Sequence, residues 1–425
     1  MADPVDLRGL CLERDGPDGP LRVLDALELR LAAGERLAVV GGNGSGKSSL
    51  LRHLATPGVL PELRPGLVFQ DPDEQLVAAT VAAEFRLGGG EAVSPAVLDA
   101  YGLGGRGEED PRLLSAGQKQ RLQLAVVLAA RPDLLLLDEP TSLQDAGQAD
   151  WLRRRLDAWP GTLIWATQRP EEVALCGRAL LLDAGKAVLA GTAAEVLGDP
   201  RCRRLLTPEY PGGGEVAATT APPVLELDEL RLAFSDGGGL GPISLSLGPG
   251  ERLGICGPNG CGKSTLLAAC AGLRRPEAGS VRLGERRLYR RGATDLDHGL
   301  AALAPQFPEY LFTGHDVAAE IALDPRLAGD EPAAFLRRLG LAPELARRNP
   351  HDLSGGQKRR LALGLALASG RPLVLLDEPT AALDAAGRAL VAALVRAAPP
   401  GCAVAVASHD RDFLAACGCR VLDLA

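Results

Sequence analysis

Short apolar runs recur along the first half of the chain, and polar or glycine-rich turns close each one. RLAVVG begins at Arg36, GLVFQ at Gly66, LLLLDE at Leu134 and TLIWAT at Thr162. Between them lie stretches of helical character, after GKSS at 46–49 and after LSAGQ at 114–118. Short continuous apolar runs bounded by turn residues predict strands buried on both faces. Their alternation with helices predicts an α/β fold, a sheet sandwiched between helices.

The second half repeats the pattern, and a repeat of this length means a repeated domain. GERLAVVGGNGSGKSSLL (34–51) returns as GERLGICGPNGCGKSTLL (250–267), and LSAGQKQRLQLA (114–125) as LSGGQKRRLALG (353–364). RPDLLLLDEPTSLQD (131–145) returns as RPLVLLDEPTAALD (371–384), and LIWATQRPEEV (163–173) as VAVASHDRDFL (404–414). Two similar domains are therefore expected, 1–206 and 224–425. TPEYPGGGEVAATTAPP (207–223) is a short, nearly uncharged linker between them. The copies differ in length. Lys47 precedes Gln70 by 23 residues and Lys263 precedes Gln306 by 43, so the first domain lacks most of GLRRPEAGSVRLGERRLYRR, expected to be a β-hairpin at the sheet's margin. The second domain stops at RVLDLA without a counterpart of GKAVLAGTAAEVL, a loss expected to remove peripheral surface and leave the site intact.

Length and charge narrow the class. The 425 residues leave room for two or three domains with cores of their own. A net charge of −8 argues against a nucleic-acid binder, which neutralises phosphates with a basic face. Nine cysteines without a C-x-x-C pair or zinc-finger spacing read as reduced thiols of a cytosolic protein. No apolar run approaches the ~18–20 residues of a membrane span, and MADPVDLRGL lacks a signal-peptide profile. Any work at a membrane is expected to go through a partner.

The repeated motifs carry phosphate chemistry. GGNGSGKS and GPNGCGKS both fit G-x-x-x-x-G-K-[ST] between a strand and a helix. In such a loop the backbone N–H groups wrap a phosphate chain and the helix N-terminus adds partial positive charge. The first loop supplies Gly42, Asn43, Gly44, Ser45, Gly46, Lys47, Ser48 and Ser49; the second supplies Pro258, Asn259, Gly260, Cys261, Gly262, Lys263, Ser264 and Thr265. Lys47 and Lys263 are expected on the β- and γ-phosphates, and Ser48 and Ser264 on Mg. Asp138-Glu139 and Asp377-Glu378 close apolar runs with adjacent carboxylates, one suited to Mg and one to polarising an attacking water. Ser115-Ala116-Gly117-Gln118 and Ser354-Gly355-Gly356-Gln357 open helices, where a hydroxyl and unpaired N–H groups can receive an anion.

Taken together, these motifs resemble those of the ATP-binding-cassette (ABC) ATPases, twice and over nearly the whole chain. The resemblance implies an α/β fold of two tandem P-loop nucleotide-binding domains, each with a mixed sheet core and a helical subdomain. It further implies a head-to-tail pair with two ATP molecules and Mg between the domains. Each phosphate loop is then completed by the LSGGQ-type element of the other domain, all within one polypeptide. The resemblance assigns Gln70 and Gln306 to Mg and to sensing a membrane partner. It assigns Phe234 to stacking on adenine, with Arg14 near the matching position of the first domain. FQDPDEQLVAATVAAEF (69–85) looks like the ATPases of energy-coupling-factor importers of vitamins and metal ions such as cobalt. That likeness implies a membrane scaffold (T-type) subunit and a substrate-binding membrane subunit as partners. It places the chain peripherally on the cytoplasmic face of the membrane. Ribosome-acting tandem cassettes usually carry a long charged linker, DNA-repair cassettes carry zinc modules, and sugar-importer ATPases have a different loop after the glutamine. A soluble cassette acting on a ribosome stays open as the alternative.

One position breaks the symmetry. His409 matches the family's switch histidine, which contacts the γ-phosphate, and the first domain has Gln168 there. A glutamine cannot carry the imidazole's proton or charge. The site of Lys47, Glu139 and Gln168, closed by Ser354-Gly355-Gly356, is therefore expected to bind ATP and hydrolyse it slowly. That of Lys263, Glu378 and His409, closed by Ser115-Ala116-Gly117, is expected to be competent, with the methyl of Ala116 loosening closure a little. Cys261 reads as a small filler that could still be a reactive thiol.

Overall fold

Alternate residues of each central strand enter opposite cores, as strand geometry requires. The computed structural model describes residues 5–16, 19–89, 93–142, 144–210, 221–234, 238–290, 293–294, 299–329 and 331–424. The chain divides into two units, Met1–Pro208 and Glu209–Ala425. Most of the expected linker, 211–220, lies outside the described residues.

The first unit is built on a six-stranded sheet ordered Pro65–Val68, Leu134–Asp138, Thr162–Thr167, Arg36–Val40, Arg178–Asp183, Lys186–Thr192. All neighbours are parallel except the last pair. Leu37, Val39, Leu134, Leu136, Ile164 and Ala166 face a core shared with the helix Lys47–Leu54 and the antiparallel strand pair Val5–Gly16 and Gly19–Leu31. Ala38, Val40, Leu135, Leu137, Leu163 and Trp165 face the opposite core, filled by the helices Ala116–Ala129 and Ala146–Asp157. Burial on both faces is why these runs read as continuously apolar.

The second unit repeats the plan. A parallel sheet runs in the order Ala301–Ala304, Leu373–Asp377, Ala403–Ala407, Arg252–Cys256, Arg420–Asp423. One face packs on the helix Lys263–Cys270 and the other on Gly355–Ala368 and Ala385–Arg396. An antiparallel sheet, ordered Gly239–Leu247, Leu225–Ala233, Ala278–Leu283, Arg286–Arg287, covers the first of these cores. Its last two strands form a hairpin, and they lie in the segment that the first unit lacks. Each unit is a mixed α/β domain with short additional helices, Val81–Leu87 and Pro95–Ala100 in the first and Val317–Ala322 and Pro332–Arg338 in the second. Among the described residues no helix is long and apolar enough to cross a membrane.

Candidate active site

In parallel sheets the strand order brings distant loops together at the carboxyl edge, and both sites form there. In the first unit the strand Arg36–Val40 runs into the glycine-rich loop, where Gly44 and Gly46 adopt φ of 79° and 103°. Only glycine takes such angles without strain. A Cβ at Gly46 would also lie 2.6 Å from Leu24. The helix starts at Lys47, whose buried ammonium folds back over the loop and donates to the carbonyls of Gly41 (2.7 Å) and Gly42 (3.1 Å). It also lies 3.2 Å from Glu139 Oε1. Lys263 repeats the arrangement, with Gly257 O at 2.8 Å, Pro258 O at 3.1 Å and Glu378 Oε1 at 3.3 Å.

The Ser48 hydroxyl donates to Asp138 Oδ1 at 3.0 Å. Burial pushes the Asp138 carboxyl up to about 6, against that hydrogen bond and the charge of Lys47. Burial likewise raises Asp377, opposed by the Ser264 hydroxyl. Asp377 Oδ1 is buried and has no hydrogen-bond partner. A hydroxyl and a buried carboxylate that lacks full satisfaction are hard oxygen donors of the kind Mg takes. Together with the phosphate loop they fit Mg-ATP. Gln70 and Gln306 follow strands that neighbour those ending in Asp138 and Asp377, with Val68 opposite Leu137 and Ala304 opposite Leu376. Gln70 Nε2 stands 3.5 Å from Ser142 Oγ.

Glu139 and Glu378 have φ of 43° and 44°, in the left-handed region where glutamate is strained. Their amides are pinned to Ala166 O (3.0 Å) and Ala407 O (2.9 Å) on the neighbouring strand. The two units differ in what meets these carboxylates. Gln168 Nε2 donates to Glu139 Oε1 (2.8 Å) and to Asn43 Oδ1 (2.9 Å), and its buried Oε1 has no partner. His409 Nδ1 lies 3.1 Å from Glu378 Oε2. Burial alone would raise Glu378. The hydrogen bond and charge of His409, with the charge of Lys263, outweigh it and hold the carboxyl below its ordinary value.

Ser115 and Ser354 cap the helices Ala116–Ala129 and Gly355–Ala368 through capping boxes with Gln118 and Gln357. Gly117, Gly355 and Gly356 lie in the first turns; the Ala116 side chain is outside the described residues. Within each unit this helix packs on the sheet face opposite the phosphate-loop helix. Phe234 follows the strand Leu225–Ala233, and its ring lies 2.7 Å from where a Cβ at Gly262 would be. Leu12 pairs with Leu24 as Leu232 pairs with Leu240, so Arg14 occupies the register position of Phe234. At Gly46 the nearest side chain is Leu24, with no ring. The Cys261 sulfur turns back towards Gly257, as the Ser45 side chain turns towards Gly41.

The motifs gave no sign of the buried carboxylates Glu320, Glu84 and Glu172. Glu320 accepts from the amides of Thr313 (2.8 Å) and Gly314 (2.6 Å), and Glu84 accepts from the amide of Ala78. The repeated VAAE at 81–84 and 317–320 was the available signal. The third, Glu172, has no acidic counterpart in the second domain.

Each unit carries a glycine-rich loop of the P-loop pattern, and comparison with known proteins gives the family. The family model described as ABC transporter matches residues 24–58, 61–142 and 240–381. A Streptomyces coelicolor protein named "Putative ABC transporter ATP-binding protein" is 31% identical over 97% of this chain and 90% of its own length. A Bacillus subtilis protein, "Putative HMP/thiamine import ATP-binding protein YkoD", is 31% identical over 95% of this chain and 86% of its own. A Bifidobacterium longum relative is 29% identical over 92% of this chain, which spans 61% of that relative's length. Among solved structures, "Model of ribosome-bound archaeal Pelota and ABCE1" has a TM-score of 0.72 at 22% identity, covering 95% of this chain and 74% of that one; the likeness is one of fold. The chain belongs to the ABC family and is a tandem ABC ATPase.

Proposed function

We propose that the chain powers an energy-coupling-factor-type importer of a vitamin or metal ion from the cytoplasmic face of the membrane. Its two domains pair head to tail within one polypeptide, and one of the two composite sites is catalytically degenerate. The observation that carries the transport reading is the segment after Gln70 and the matching one after Gln306. Beyond Gln70 the large apolar side chains Val77 and Leu87 are 76% and 66% exposed; beyond Gln306, Tyr310 and Leu323 are 85% and 59% exposed. Apolar side chains of this size in solvent favour a partner surface. A scaffold subunit docking helices beside this segment would cover them. The name of the Bacillus subtilis relative supports import.

In the competent site Glu378 polarises the attacking water. His409 uses Nδ1 on Glu378 and keeps Nε2 for the γ-phosphate. Lys263 exchanges its loop carbonyls for phosphate oxygens; Ser264, Asp377 and Gln306 would hold Mg, which would supply positive charge against the phosphates. In the first site both amide hydrogens of Gln168 are already engaged, on Asn43 and Glu139. Nothing on that side chain is left to donate to a phosphate.

The test is affinity purification of the tagged chain from detergent-solubilised native membranes. The expected result is co-purification of a polytopic scaffold subunit and a substrate-binding membrane subunit, lost in a Val77→Asp/Tyr310→Asp variant. Co-sedimentation with ribosomes that survives moderate salt, with no membrane subunit retained, would favour the soluble alternative.

A further inference from the structure

In the second unit an aromatic ring stands beside the phosphate loop. Phe234 follows the strand Leu225–Ala233, and its amide donates to Gly238 O at 2.8 Å. Its Cζ and Cε1 lie 2.7 and 3.1 Å from where a Cβ at Gly262 would be. The side chain is half-buried, so part of the ring is open to a ligand held at that loop.

The first unit differs at this place. Arg14 holds the register of Phe234 and is exposed, on a strand pair that continues to Gly16 opposite Gly19. A Cβ at Gly46 would meet the Leu24 side chain at 2.6 Å and the Val23 carbonyl at 3.0 Å. The other rings of the unit are placed elsewhere. Phe85, Tyr101 and Trp165 are buried in the core on the opposite face of the sheet, and Trp151 and Trp159 pack against that core. Phe69 lies under the Arg52 guanidinium, 5.1 Å from its ring centroid. His53 sits in the last turn of the helix Lys47–Leu54, at the end away from the loop.

A glycine-rich loop grips its ligand through backbone N–H groups, a lysine and a hydroxyl, and none of these reads the base. A base stacked on an aromatic face gains about tenfold or more in affinity, and a purine offers the larger face. A guanidinium in solvent gives a ring only about two- to fivefold. We infer that the first loop binds Mg complexes of nucleoside triphosphates with little regard to the base, pyrimidine as well as purine. The second loop favours a purine through Phe234. Arg14 and Phe234 are thus the matched positions that set base specificity. The inference rests on the reading of both loops as nucleotide sites and states which nucleotides the first accepts.

The test is calorimetric titration of the full chain with Mg-ATP, Mg-CTP and inorganic tripolyphosphate. Glu139→Gln and Glu378→Gln keep the nucleotide from being consumed. One loop is disabled at a time, by Lys263→Ala with Ser264→Ala or by Lys47→Ala with Ser48→Ala, and a stoichiometry of one checks that a single loop is read. At the first loop Mg-ATP and Mg-CTP are expected within about threefold of each other; at the second Mg-ATP should bind about tenfold tighter or more. Arg14→Phe should raise the first loop's preference to about tenfold, a gain that no loss of fold can imitate. Arg14→Ala should leave that preference unchanged, and Phe234→Ala should bring the second loop's down to about threefold or less. A preference of about tenfold at the unaltered first loop overturns the inference, and so does a second-loop preference that survives Phe234→Ala. A first loop that binds neither nucleotide nor tripolyphosphate overturns the nucleotide reading of that loop, and the base tolerance falls with it.

Discussion

Glu139 and Glu378 have matching backbone conformations and matching lysine partners, and the side chain that meets each carboxylate differs, Gln168 at one and His409 at the other. Glu378→Gln is expected to abolish most steady-state hydrolysis, whereas Glu139→Gln leaves a substantial fraction. ATPase assays on the two purified variants measure this, and equal losses would contradict asymmetry. Asp138 gives a second expectation, in pH. Its folded carboxyl sits at about 6 against 3.8 for a free aspartate. The folded state therefore binds the proton more tightly, and the stability this confers is complete below about 3.8 and lost as pH rises through 6. At pH 7.5 the ionised group opposes folding by about 3 kcal/mol. Asp138→Asn should thus raise the melting temperature of the ligand-free chain at pH 7.5, less so at pH 5.5, and abolish stabilisation of the first unit by Mg-ATP. Calorimetry with and without nucleotide checks both; an Asn variant less stable at pH 7.5 would refute it. The types of these residues were legible because each motif is contiguous in the chain. The double engagement of Gln168 was not, because Asn43 lies 125 residues away and only the strand order joins them.

At the scale of elements, the sheets were readable because burial on both faces leaves an uninterrupted apolar run, and RLAVV and LLLLD became strands of one sheet on either side of TLIWAT. What the pattern hid was the polar interior of loops. Glu320 reads as a surface acid in a helical stretch, yet it is buried and holds the turn before the helix Val317–Ala322 by accepting two amides. No periodicity reports a side chain that turns back to its own preceding loop. Gly314 belongs to the same turn, since a Cβ there would lie 2.6 Å from the Glu320 amide. Glu320→Ala leaves two part-buried N–H groups without their acceptor and should cost about 1–2 kcal/mol. Glu320→Gln, which keeps one acceptor, should cost less. Urea unfolding reads both values, and an Ala variant within about 0.5 kcal/mol of the wild type would show that water or the chain replaces the carboxylate.

For the whole molecule, the question is whether one chain suffices. Both phosphate loops and both LSGGQ-type elements are present in a single polypeptide, so no second copy is needed to complete either proposed site. The linker 207–223 has 17 residues, and fully extended it reaches roughly 55 Å, well beyond a surface crossing between two packed domains. Closure within the chain is also favoured by concentration, because a short tether holds the partner domain at an effective concentration of about a millimolar. ATP added to a Glu378→Gln chain, where hydrolysis cannot reopen the pair, should therefore compact the monomer and leave its mass unchanged. Size exclusion coupled to light scattering measures both quantities at once. Compaction at constant mass is the expected outcome, and Ser115→Arg with Ser354→Arg should prevent it by crowding both lids. A shift to twice the mass that depends on ATP would place the sandwich between chains, and the pairing of Lys263 with the Ser115 element of the same polypeptide would have to be withdrawn.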